Sequence, residues 1–216
     1  LIVAGPSWMY SAYPHTAQKH DIKNVINSAY RNYLLAGGIT EPKFPTRRNL
    51  VKKPKIVVVI EQMTSNHAVF RCYGKALESL REKFETVGVA TRSHVDDGAM
   101  AIFDHVVYLE EDAVAGTRKN VGKIVKHKPD IMIYLSLGMQ NNTIPMANLR
   151  LAPIQLFLMA HPCTSRVETI DYAIITKEIA PTRPEFSERL VLVPNGTFSF
   201  TSRGHLTHEK AVKKLS

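Results

Sequence analysis

Residues Lys55–Ile60 read Lys-Ile-Val-Val-Val-Ile, five β-branched side chains in a row with no polar residue among them. A strand with one wet face alternates polar and apolar residues. An unbroken run instead needs apolar cover on both sides, as on an inner strand of a parallel sheet. Residues 130–136 (DIMIYLS) and 152–159 have the same character, and residues 86–90, 104–109, 172–176 and 190–193 read as shorter strands. Helical periodicity fills the gaps: Val69, Tyr73, Ala76, Leu77 and Leu80 over 67–84, and Val114, Val121, Ile124 and Val125 over 112–127. A short helical turn fits 143–149. Strands and helices alternating through short loops predict a Rossmann-like, doubly wound α/β domain.

Upstream, residues 15–36 form a helical pattern with Ile22, Val25, Ile26, Ala29, Tyr33 and Leu34 on one face, stopped by Gly37-Gly38. Residues 37–54 read as a linker or surface excursion with three prolines. The net charge of +9 invites a nucleic-acid partner. Yet Lys43, Arg47, Arg48, Lys52, Lys53 and Lys55 supply most of it, and without them the balance is +3. That segment has Phe44 as its one aromatic, whereas single-strand platforms interleave several for stacking. The composition thus argues against nucleic acid, leaving a non-catalytic module that uses residues 43–55 to hold nucleic acid or an acidic partner as the second reading.

No apolar run approaches the ~18 residues of a membrane span, and LIVAGPSWMY lacks the basic start of a signal peptide. Cys72 and Cys163 are 91 residues apart in unlike contexts, which fits a reduced, cytoplasmic chain better than a disulfide scaffold. A chain that opens on Leu and closes on the polar, basic HLTHEKAVKKLS reads as part of something longer. The expected division is 1–54 (helix and basic linker), 55–200 (the α/β domain) and 201–216 (a linker onward).

The sequence has no GxGxxG, GxxxxGK[ST], HExxH or CxxC motif. Asp96-Asp97 and Glu110-Glu111-Asp112 read as helix caps and solvated loops rather than metal ligands, having no histidine spaced with them. In open α/β sheets ligands bind beyond the carboxyl ends of the strands. After Ile60 comes EQMTSNH, with Ser65 and Asn66 as caps and His67 in a first helical turn; after Leu135 comes Ser-Leu-Gly138-Met139; after Leu158 comes MAHPCTS with His161. The positive end of a helix disfavours imidazolium, so His67 is expected to stay neutral and able to accept a proton or a hydrogen bond. A histidine there can equally be a plain cap.

MTSNHAVFR (63–71), PDIMIYLSLGM (129–139) and NLRLAPIQLFLMAHPCTSRVETIDY (148–172) together resemble one family, in the right order. It is that of the bacterial cytoplasmic protein N-glucosyltransferases that modify adhesins, relatives of O-GlcNAc transferase. The resemblance covers about residues 55–195. It implies the N-terminal half of a GT-B fold, the acceptor-side domain of an inverting, metal-independent, UDP-sugar-dependent protein glycosyltransferase. It further implies a polypeptide acceptor modified on Asn or Ser/Thr, no cofactor beyond the UDP-sugar donor, and a separate C-terminal domain that binds that donor. His67 matches the active-site histidine of the family. Asn66, Arg71, Gly138, Met139, His161, Pro162 and Thr164 fall at substrate-binding positions. The sequence departs from the family pattern at Arg71–Tyr73, where a further histidine is usual, and at Cys163, where alanine or glycine is.

Overall fold

The computed structural model describes residues 4–45, 53–111, 116–158, 163–180, 185–198 and 200. Among these residues, seven strands form one all-parallel sheet: β1 (Lys55–Ile60), β2 (Glu85–Thr91), β3 (His105–Leu109), β4 (Ile131–Tyr134), β5 (Ile154–Leu158), β6 (Tyr172–Thr176) and β7 (Arg189–Val193). Their order is β3-β2-β1-β4-β5-β6-β7. The chain therefore runs outward from β1 in one direction and returns to add β4 on its other side. That reversal, between the carboxyl ends of β1 and β4, is the switch point at which open α/β sheets form their ligand crevice.

The unbroken run of β1 is inner, as its composition requires. Val57, Val58 and Val59 are 0% exposed, and alternate residues enter two different cores. Val57 and Val59 join Val87, Val89, Met132 and Tyr134 on one face. That face is covered by α1 (Ala4–Tyr10), α2 (Asp21–Ala36), α5 (Thr117–Val125) and α6 (Thr143–Ala147). Ile56, Val58 and Ile60 join Ile133, Leu135 and Leu158 on the other, under α3 (Ala68–Ser79) and α4 (Asp97–Met100). At about 1.5–3 kcal/mol per fully buried aliphatic side chain, this strand contributes a large hydrophobic share for its length.

The N-terminal part belongs to this domain: Trp8, Ile26, Tyr30 and Leu34 share a core with Val57 and Val59. Two expectations are corrected here. The helix of 15–36 begins at Asp21, and α1 precedes it. The buried face of α2 is also not the apolar one. It presents Lys23, Ile26, Asn27, Tyr30 and Leu34 inward, while Ile22, Val25 and Tyr33 are exposed, Val25 by 67%. The cost of burying Lys23 and Asn27 is offset by partners. Asn27 accepts from Trp8 Nε1 at 2.9 Å and donates to the Ser165 and Arg166 carbonyls at 3.1 and 2.8 Å. Gly37-Gly38 does end α2: Gly38 has φ +80°, and Ile39 N donates back to the Leu34 carbonyl at 3.1 Å.

Of the basic segment, Arg47, Arg48 and Lys52 lie outside the described residues. Lys53 donates to the Arg81 carbonyl, and Lys55 pairs with Glu85 at 2.8 Å. Residues 201–216 also lie outside them. No described helix is long and apolar enough to cross a membrane.

Candidate active site

The crevice is organised by a residue that the sequence hides among loop polar groups. Glu61 follows β1 directly and is 1% exposed. Its carboxylate accepts from Ser136 Oγ at 2.5 Å, Gly138 N at 2.9 Å, Gln140 N at 3.1 Å and the Thr143 hydroxyl. The end of β1 is thereby tied to the whole turn that follows β4.

Gly138 sits in that turn with φ +104°, a conformation that L side chains rarely adopt. A Cβ there would come within 2.7 Å of the Trp8 ring. Trp8 is 1% exposed, so α1 packs directly on the turn. Gly138→Ala should therefore lose about 1–2 kcal/mol to backbone strain and about 1–3 kcal/mol to overpacking. Chemical denaturation is expected to show a total near 3 kcal/mol, and a change under about 1 kcal/mol would mean that Trp8 does not pack there. Met139, the next residue, faces outward and is 36% exposed.

On the β1 side, His67 is itself the N-cap of α3 and not a first-turn residue. Its Nδ1 accepts from Val69 N at 3.3 Å. With Nδ1 accepting, the half-buried ring has Nε2 left to present as a donor. Asn66 is exposed beside it. Arg71 follows one turn on, its amide donating to the His67 carbonyl at 3.1 Å and its guanidinium lying 4.6 Å from the Phe200 ring centroid. Ser65 does not cap α3. Its amide and hydroxyl both donate to Asp96 at 2.8 Å. Asp96 caps α4 by accepting from Ala99 N at 2.7 Å. The Ala99 and Ser65 amides hold the Asp96 carboxyl below the usual carboxylate range.

His94, which closes the turn after β2, also reaches the crevice. Its carbonyl accepts from Met63 N at 3.0 Å, and its Nε2 lies 3.5 Å from the Gln140 side-chain nitrogen. Its Nδ1 is buried and hydrogen-bonded to no described residue. Its position at a strand end is the signal that could have marked it.

On the β5 side, His161 and Pro162 lie outside the described residues. Thr164 is buried, and its hydroxyl donates to Glu188 at 2.8 Å. Glu188, 5% exposed, also accepts from the Ser165 amide at 2.8 Å and from its hydroxyl. Thr164 thus shapes the loop from inside. β1, β4 and β5 are consecutive in the sheet, so the segments bearing His67, Gly138-Met139 and Thr164 leave neighbouring strands. Among the described residues no three His, Cys, Asp or Glu side chains gather as a metal site. Glu110 and Glu111 make ordinary surface contacts, with Lys123 and Ser93.

No family model matches the chain. It is similar to two UDP-glucose:protein N-beta-glucosyltransferases of Actinobacillus pleuropneumoniae, from serotypes 5b and 7, at 26% identity over 201 and 197 residues. Each alignment takes in 89% of this chain and 31% of the relative, so the chain spans about a third of the length of these curated relatives. Among solved structures it is similar to a mutant O-GlcNAc transferase of Thermobaculum terrenum, with a TM-score of 0.68 at 19% identity over 92% of this chain and 38% of that one. The α/β architecture is therefore that of one portion of such a glycosyltransferase.

Proposed function

We propose that this chain is the acceptor-side domain of an inverting, UDP-sugar-dependent protein glycosyltransferase that transfers a hexose to Asn, or to Ser/Thr, of a polypeptide. The observation that carries the reading is the placement of the glucosyltransferase-like stretches. Those holding His67 and Gly138-Met139 leave adjacent strands at the switch-point crevice, and the third continues from β5 beside them. In this reading the donor is held mainly by a second domain, present in the relatives' additional length.

Inverting transfer forms a bond from the acceptor atom to the anomeric carbon as the bond to the UDP oxygen breaks. It therefore needs a positioned acceptor, an outlet for the acceptor proton and a stabilised leaving diphosphate. This domain supplies the first. The Nε2–H of His67 is free to donate to an acceptor oxygen, holding the nucleophile toward the cleft. Removing a proton at Nε2 would require the other tautomer, which protonates Nδ1 and gives up the Val69 cap. Asn66 and Arg71 flank the acceptor, Gly138-Met139 form the opposite wall, and His161-Pro162 and Thr164 belong to the third loop. No metal is needed in this scheme. The free Cys72 and Cys163 suit a bacterial cytoplasm, where thiols stay reduced.

Two measurements test the proposal. With UDP-glucose and Asn- or Ser-containing peptides, a protein of the relatives' length is expected to add one hexose by mass spectrometry. No addition to either peptide class would sink the reading. Isothermal titration of the 216-residue chain with UDP should show no micromolar binding; a micromolar isotherm would move the donor site into this domain.

A further inference from the structure

Lys23 and Cys163 form a buried pair that the glycosyl transfer does not use. Lys23 is 0% exposed, 140 residues from Cys163 in sequence, and its Nζ lies 3.0 Å from Cys163 Sγ. The same nitrogen donates to the Thr164 carbonyl at 2.7 Å and stands 4.1 Å from the Trp8 ring centroid. Three contacts from two segments, α1 and residues 163–164, thus hold an amine beside a thiol. Burial pulls the Lys23 ammonium below its ordinary range, which raises the share of uncharged amine. Cys163 is the more exposed of the pair, at 9%.

We propose that Lys23 and Cys163 are a covalent modification site, at which oxidation joins them as a sulfenamide between α2 and the segment after β5. In the first step hydrogen peroxide takes two electrons from the Cys163 sulfur, giving sulfenic acid and one water. In the second the Lys23 amine attacks that sulfur, the S–O bond breaks, an amine proton leaves with the hydroxide, and a second water departs. Overall one thiol, one amine and one peroxide give one S–N bond and two waters. A thiol reverses the bond by attacking the same sulfur and returning the amine. Immobilised neighbours favour the second step because the amine is already in place and no chain closure remains to be made.

The test uses the Cys72→Ser protein, so that no intramolecular disulfide can mimic the mass change. After hydrogen peroxide, intact mass spectrometry should show the loss of two hydrogens. Tryptic mapping should find the Lys23 and Cys163 peptides joined, and dithiothreitol should separate them. The loss should vanish in Lys23→Arg and, independently, in Cys163→Ala, which needs no buried charge to be accommodated. Oxygen added at Cys163 without a linked peptide would overturn the proposal. So would a joined peptide that persists in Lys23→Arg, or no peroxide-dependent change at all.

Discussion

His67→Ala is expected to lower kcat/KM for the proposed glycosyl transfer by about 10²-fold, the scale of losing a positioned proton-handling group. The same change removes the N-cap of α3 and should cost about 1 kcal/mol of stability, so stability and turnover must be separated. His67→Asn does this, because asparagine caps well but has no imidazole. If His67 serves the acceptor, the Asn variant melts like the parent and stays as impaired as the Ala variant. The observed cap bond places the hydrogen on Nε2. The loss should then fall more on the acceptor KM than it would for a general base. Recovery of turnover in His67→Asn would reduce His67 to a cap.

Glu61→Ala should be among the most destabilising single substitutions in the domain. It leaves the buried amide of Gly138 and the half-buried amide of Gln140 without an acceptor, at about 1–3 kcal/mol for a buried donor and less for the other. The Ser136 and Thr143 hydroxyls can reorient, but a cavity remains where the carboxylate was. A loss of about 4 kcal/mol is expected from denaturant midpoints at constant m-value. Glu61→Gln retains an acceptor oxygen and should lose clearly less. Equal stability of Glu61→Ala and the parent would show that the carboxylate does not hold the turn.

The fold was legible because its strands are short apolar runs between polar loops, led by the β-branched run of Lys55–Ile60. Lys55–Ile60 and Tyr172–Thr176 are observed as expected, and the other strands differ by one or two residues at their ends. α1 was not legible: Gly5 and Pro6 speak against a helix locally, and burial of Trp8 against the Gly138 turn overrides that preference. The face of α2 was misread because Lys23 and Asn27 score as solvent-seeking. Their partners, Thr164 and Ser165–Arg166, lie about 140 residues away, beyond the reach of any local pattern. At the candidate site, the strand-end rule points to His67 and Gly138-Met139, which do follow adjacent strands, and it points equally to His94. Glu61 lay between a strand and a polar loop, and only the packed turn shows that its carboxylate faces inward.

The seam between β1 and β4 also bears on how the domain assembles. β1, β2 and β3 follow one another along the chain, as do β4 to β7, so each half can zip up from near neighbours. Joining the halves closes a loop of 75 residues between Glu61 and Ser136, a step whose entropy must be lost before any contact across the seam repays it. If each half gathers before the two meet, the carboxylate bridge at the crevice belongs to the late side of the folding barrier. Interactions formed that late chiefly slow unfolding. The bonds that shape the crevice would then also set how long the two halves of the sheet stay together.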